Sequence, residues 1–376
     1  MRCFTNFAGA LLCLASLPML GVAQQPEPTP PEETVRIPTQ EVHLTVHAQG
    51  AFPGFAPKLR PEDIGVFEDG VAQSITSMRS TPASVLLLLD TGAALTFAKS
   101  RDMIGLTAKL VIDSLPETTV CSVFQYSDRT DVISAWTDKR EEVAADIGPA
   151  IKSGRRSLLA SAVELAVKSF ASRPIGNRHL ILITDGLNGS SAMDLSAPVF
   201  ADLAAANIAV HVVSYTAIEQ NGAEEAGKTV RINTRPSRPR VPKEIFDEMV
   251  RGLPIAVEAK EFLKTMNEAT QIVIIDLDRE RKKMLRTRRG EWANAEINLR
   301  ELANETGGSV FTPTDALGLA TAAAEVARSI GSHFDVTYTP LRPIIESESR
   351  TVRTISVVSR IEAIKVRTRK KLMTGK

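Results

Sequence analysis

Two aspartates stand at positions that can do chemistry. Asp90 ends the run VLLLLD and Asp185 ends HLILITD, and a turn-forming residue follows each, Gly92 after one and Gly186 after the other. Near-continuous apolar runs of this length read as strands covered on both faces, which deliver their last side chain to the rim of a sheet. Two carboxylates brought together there repel unless a cation or a proton lies between them. Mg²⁺ is a hard cation that takes oxygen ligands and keeps several waters, so such a pair suits it. Thr91 and Thr96 are the hydroxyls nearest Asp90 in sequence.

Other reactive groups point away from catalysis. The chain contains no nucleophile elbow, no HExxH and no zinc-spaced set of cysteines and histidines. His179 and His211 lie at the edge of and inside apolar strand patterns, where satisfied core histidines are expected, and His333 starts a C-terminal strand. His43 and His47 share one face of an early strand, four residues apart, which reads as a solvated face rather than a metal pair. The formal charge of +1 and the 5% aromatic content give no field and no stacking surface for nucleic acid.

The elements that must position the aspartates follow from periodicity. The segment MRCFTNFAGALLCLASLPMLGVA (1–23) has the basic start, apolar stretch and small-x-small end of a secretory signal peptide. An uncleaved anchor is the competing reading, against which the run is short and broken by Pro18. Leu12 before Cys13 disfavours a lipoprotein, and removal of the leader leaves Cys121 alone, in a strand pattern that suits a buried, inert thiol. Residues 24–35 are a Pro/Glu-rich linker. Residues 36–80 carry alternating EVHLTVHAQ and two runs around Asp69-Gly70, a hairpin signal.

From Val85, strands at about 85–90, 119–126, 131–136, 179–184 and 208–215 alternate with amphipathic helices, giving an α/β fold with a doubly wound, mostly parallel sheet over 81–217 and 296–331. Residues 218–295 interrupt it, with QIVIIDLDRERKKMLRTRRGEW open to a strand and turn or to the start of a long helix. Within this insertion, Lys228–Arg289 holds sixteen basic and nine acidic residues, so it is either a solvated helix face with a loop or a patch for an acidic partner or anionic membrane surface. The strands of 332–376 are expected to pair with the N-terminal strands in a small β module.

Laid out in this order, the chain resembles the von Willebrand factor type A domain superfamily, and more narrowly a related family found in Acidobacteria. The motifs are the hairpin RPEDIGVFEDGVAQSI, the Asp-Gly of LILITDGLNG, ETGG at Glu305 to Gly308, YTP at Tyr338 to Pro340, and the basic final strand IKVRTRKK. The likeness covers about residues 36–216 and 296–372. It implies a metal-ion-dependent adhesion site for one Mg²⁺ or Mn²⁺, built from an Asp-x-Ser-x-Ser turn, a hydroxyl from a second loop and an aspartate from a third, with one coordination position open to a partner's carboxylate.

Here Asp90, Ser157 and Asp185 match, whereas Gly92 and Ala94 replace the two serines. Thr91 and Thr96 fall off the ligand positions unless the loop is re-registered. Ser157 also suits a helix N-cap, and Asp185 its own Asp-Gly turn. Arg155 and Arg156, just before Ser157, are expected to neutralise the aspartates in place of a metal. The resulting expectation is an exported, periplasmic or secreted, non-enzymatic module that binds an unknown protein partner through a degenerate site. The alternative is a surface-associated structural protein whose basic insertion contacts anionic lipid or polymer.

Overall fold

A computed structural model describes residues 41–50, 58–92, 99–188, 191–192, 197–226, 242–253, 257, 259–261, 263, 279–344 and 351–374. The leader, the linker, Ala94, Thr96 and most of the Pro/Arg-rich part of the insertion lie outside these residues.

The elements in chain order are β1 (Val42–Gln49), β2 (Ile64–Glu68), β3 (Val71–Gln73), β4 (Ile75–Arg79), β5 (Ser84–Asp90), α1 (Arg101–Ser114), β6 (Val120–Tyr126), β7 (Thr130–Thr137), α2 (Arg140–Ala150), α3 (Leu159–Ser169), β8 (Arg178–Thr184), the short hairpin β9 (Leu187–Asn188) and β10 (Ser191–Ala192), α4 (Ala197–Ala205) and β11 (Ile208–Ser214). There follow α5 (Thr216–Ala226), α6 (Lys243–Arg251), α7 (Arg279–Thr306), β12 (Val310–Phe311), α8 (Ala316–Gly331), β13 (His333–Tyr338), β14 (Thr351–Ser359), β15 (Lys365–Arg367) and β16 (Lys371–Thr374).

The central sheet has the order β12-β11-β8-β5-β6-β7, with every pairing parallel except β6 with β7. Strands β5, β8 and β11 are buried at every residue, which is why their sequences lack polar alternation. On one face Leu87, Leu89, Ile181 and Ile183 pack beneath α1, α2 and α8. On the other, Leu86, Leu88, Leu180 and Leu182 pack beneath α3, α4 and α7. The register sets Leu89 beside Ile183, so the chain leaves β5 and β8 at the same height and brings Asp90 and Asp185 to one rim.

The two ends of the described chain meet in the remaining sheets. Strand β1 pairs with β13 and β15, and β14 pairs with β2. The β2–β3 hairpin turns at Asp69 and Gly70, both with positive φ (48° and 80°), the geometry that Asp-Gly favours. The resembling motifs have jobs here. Glu305 of ETGG holds Lys370 and Lys371 of the basic final strand at 3.3 and 3.0 Å. Tyr338 of YTP donates to the buried Glu68 Oε2 at 2.8 Å, and Glu68 is paired with buried Arg353.

Two expectations are corrected. The face carrying His43 and His47 is not solvated: His47 is buried and stacks on His333, and half-buried His43 contacts Asp335 at 3.2 Å. Alternation had marked that face as polar, but in β1 both faces are covered. The insertion is also more than a solvated appendage. Phe246, Val250, Ala259 and Leu263 enter the core under the sheet. Of the segment left open between strand and helix, the described part, from Arg279 on, belongs to α7, whose Trp292 and Ala295 pack on Leu187.

Candidate functional site

Asp90 is the last residue of β5 and is fully buried, so each lone pair must find a donor or a cation. Its Oδ1 accepts from Ser157 Oγ at 2.7 Å and from the Gly92 N–H at 3.1 Å, and its Oδ2 accepts from Thr184 Oγ1 at 2.7 Å. Asp185 follows β8, is 3% exposed, and accepts the Leu187 N–H at 3.1 Å. The aspartates therefore converge, and one cation joins them. Lys99, wholly buried, places its Nζ 2.9 Å from Asp90 Oδ2 and 3.2 Å from Asp185 Oδ1. The same ammonium donates to Ser157 Oγ at 3.3 Å. Three donors of one lysine thus reach the three residues that the resemblance assigns to a metal.

Arg155 and Arg156, expected to neutralise the pair, do not reach it. Both are exposed, and Arg155 engages the rim through its backbone N–H, which donates to Asp128 Oδ2 at 2.8 Å. Thr91 is buried, but its hydroxyl donates to the Tyr126 carbonyl at 3.2 Å rather than toward the aspartates. Ser157 is not the cap of α3, where Leu158 takes that position without a side-chain bond. Asp185 holds its own turn, as expected, and pairs with the Lys99 ammonium.

Two residues went unseen in the sequence. Thr184 links Asp90 to the Gly186 N–H (2.9 Å) and accepts from the Tyr126 hydroxyl at 3.3 Å. Lys99 stands nine residues after Asp90, outside any ligand spacing. A lone lysine before a helix carries no signal that it turns inward; the only available hint was the unbalanced charge of two aspartates expected at one rim.

The electrostatics follow from this burial. Burial alone would lower the Lys99 pKa, but the Asp90 and Asp185 carboxylates outweigh it and hold the ammonium above its ordinary value. Since the folded-state value is raised, the stabilisation is fully present below about pH 10 and is lost only as the pH climbs past the ordinary lysine range. Asp185 is pushed up, chiefly by burial, against the pull of Lys99. The neighbouring Asp90 carboxylate adds to that upward push.

The residues do not fit a divalent ion. The space between the carboxylates holds an ammonium, and the first missing serine is excluded sterically. A Cβ on Gly92 would stand 1.6 Å from the Arg156 carbonyl oxygen and 2.6 Å from Ser157 Oγ. The second loop has closed onto the volume that a serine would need. Gly92→Ser is therefore expected to destabilise the fold by about 1–3 kcal/mol through overpacking, and to create no Mg²⁺ response. Chemical denaturation with and without Mg²⁺ checks both parts. Nor do the described residues show an open coordination position, because Asp90, Lys99, Ser157 and Asp185 are all buried.

This fold and rim define a class. Residues 84–243 match the von Willebrand factor type A domain. Among solved structures, the chain is similar to the conserved hypothetical protein BatB from Bacteroides thetaiotaomicron, with 14% identity over 66% of this chain and 98% of that one and a TM-score of 0.34. It is similar to the same extent of both chains, also at 14% identity, to an aerotolerance-related membrane protein from Bacteroides fragilis NCTC 9343 carrying multiple mutations to serines (TM-score 0.35). Proximal thread matrix protein 1 from the mussel byssus is similar at 15% identity over 36% of this chain and 38% of its own, with a TM-score of 0.30. None of the curated proteins matches the sequence.

Proposed function

We propose that the chain is an exported, non-enzymatic protein-binding module of the von Willebrand factor A type whose adhesion-site rim works without a divalent metal. The observation that carries this reading is the buried Lys99 ammonium, 2.9 and 3.2 Å from Asp90 and Asp185. A lysine tethered to the fold supplies the positive charge that a free ion supplies elsewhere in the superfamily, so folding does not wait on ion concentration. Recognition of a partner then falls to the exposed loops around the rim, where Arg155 and Arg156 present two guanidinium groups to solvent. Guanidinium forks suit carboxylates, which makes an acidic protein surface the partner chemistry of this reading.

The leader-like first residues support export to the periplasm or beyond. Among the described residues, no helix is long and apolar enough to cross a membrane. Pull-down from an envelope extract, run with and without chelator, tests the proposal. The same partner should be retained in both conditions and lost in the Arg155→Ala/Arg156→Ala double variant. Retention that disappears with chelator would return the site to metal-dependent adhesion.

A further inference from the structure

The chain has five histidines, and four of them, His47, His179, His211 and His333, gather at the opposite end of the sheet from the aspartates. Strand alternation puts His179 with Ile181 and Ile183, and His211 with Val213, on the face covered by α1 and α8. The chain leaving α8 brings His333 onto that face, where its ring lies 4.4 Å from that of His179 and 5.5 Å from that of His211. One ring nitrogen from each of His179, His211 and His333 lies within 4.8 Å of the other two.

The hydrogen bonds fix which nitrogens carry protons. The Asn177 amide donates to the Thr81 carbonyl, so its Oδ1 faces His179 and accepts from Nε2–H at 2.7 Å. His179 Nδ1 is then bare and accepts from His211 Nε2–H at 3.1 Å, which leaves His211 Nδ1 bare. His333 Nδ1–H donates to the Ser329 carbonyl at 2.6 Å, which leaves His333 Nε2 bare. Both of these last nitrogens are buried with no donor in reach among the described residues. A buried lone pair without a partner is destabilising, and a native fold retains one for a reason.

We propose that His179, His211 and His333 are the ligands of a buried zinc ion that ties the central sheet to the β1–β13 sheet. Imidazole nitrogens suit Zn²⁺, and three protein ligands with a water in the fourth position make a recognised zinc arrangement. Metal-bound histidines characteristically donate their other N–H to a carbonyl or carboxylate group, the role filled here by Asn177 Oδ1 and the Ser329 carbonyl. His211 would give up its Nε2–H bond to His179 on binding, and the nitrogens need to close by up to about 1.4 Å to reach tetrahedral spacing. Arg367, whose guanidinium touches His47 Nδ1 at 3.2 Å, stands beside the cluster, and a bound ion has to tolerate that positive charge. The three ligands come from positions far apart in the sequence, on β8, β11 and β13, so the ion would act as a clip between the α/β core and the strands that close the chain.

The test uses the full chain purified without chelator. Elemental analysis should find one zinc per chain, and stripping it should lower the melting temperature, with Zn²⁺ but not Mg²⁺ restoring it. His211→Gln and His333→Gln should each weaken zinc binding at least about tenfold, while His43→Gln leaves it unchanged. Should those variants fail to fold, Co²⁺ added to the stripped wild type decides. Visible d–d bands of a nitrogen-ligated ion support the site, and their absence, like a zinc content near zero with no melting response, would assign the bare nitrogens to a buried water instead. Mg²⁺ insensitivity concerns the aspartate rim alone, so failure here leaves the reading of that rim standing.

Discussion

Lys99→Met is expected to destabilise the fold by about 3–5 kcal/mol, a large share of the total stability of an ordinary domain. The lysine makes its two ion pairs with no exposed surface at all. Methionine fills similar volume but leaves the Asp90 and Asp185 carboxylates facing each other without a cation, and like charges in a dry site cannot both persist. The loss should be repaired by removing the charges as well. Lys99→Met with Asp90→Asn and Asp185→Asn is expected to recover most of the stability, because a neutral buried set needs no counter-ion. Urea denaturation of the three proteins at neutral pH reads this directly. A triple variant no more stable than the single one would show that Lys99 contributes by packing rather than charge.

Arg353→Met is expected to have an effect of the same order, about 3–5 kcal/mol, for a related reason at a different place. Glu68 and Arg353 are 3% and 7% exposed at their side chains, on neighbouring strands β2 and β14. The guanidinium also donates to the carbonyls of Arg342 and Pro343, at 2.8 and 2.9 Å, so it anchors the segment after β13 while neutralising Glu68. Removing it strands a buried carboxylate and two carbonyls together. Tyr338→Phe takes away only one hydrogen bond to the same carboxylate and is expected to lose about 1.5–3 kcal/mol. Melting curves of the two variants should rank in that order. The reverse order would mean that Glu68 is held mainly by the tyrosine.

The sequence made the central strands legible because β5, β8 and β11 are apolar without interruption, and it made the convergence of Asp90 and Asp185 legible because both end strands of that kind. The Asp69-Gly70 turn was readable from two residues whose backbone preference matches the positive φ values observed. What stayed hidden was which polar side chains the assembled elements would bring into contact. Lys99 looked like one of many lysines, since only the folded chain shows that it turns inward between two carboxylates. Arg155 and Arg156 attracted the neutralising role by proximity in sequence to Ser157, yet the backbone of that loop, rather than its side chains, approaches Gly92. The histidines were read strand by strand, and β1, β8, β11 and β13 had to assemble before four of them became one cluster.

The claim on which the reading of the rim depends is that a lysine has taken the place of the metal. Thermal unfolding in rising Mg²⁺ measures it most directly, because an ion that binds only the native state must raise the melting temperature. The wild type is expected to melt at the same temperature with Mg²⁺ as with chelator, and Lys99→Ala, which opens the space between Asp90 and Asp185, is expected to gain stability as Mg²⁺ is added. A wild-type melting temperature that climbs with Mg²⁺ and ceases to do so in Asp185→Asn would contradict the account.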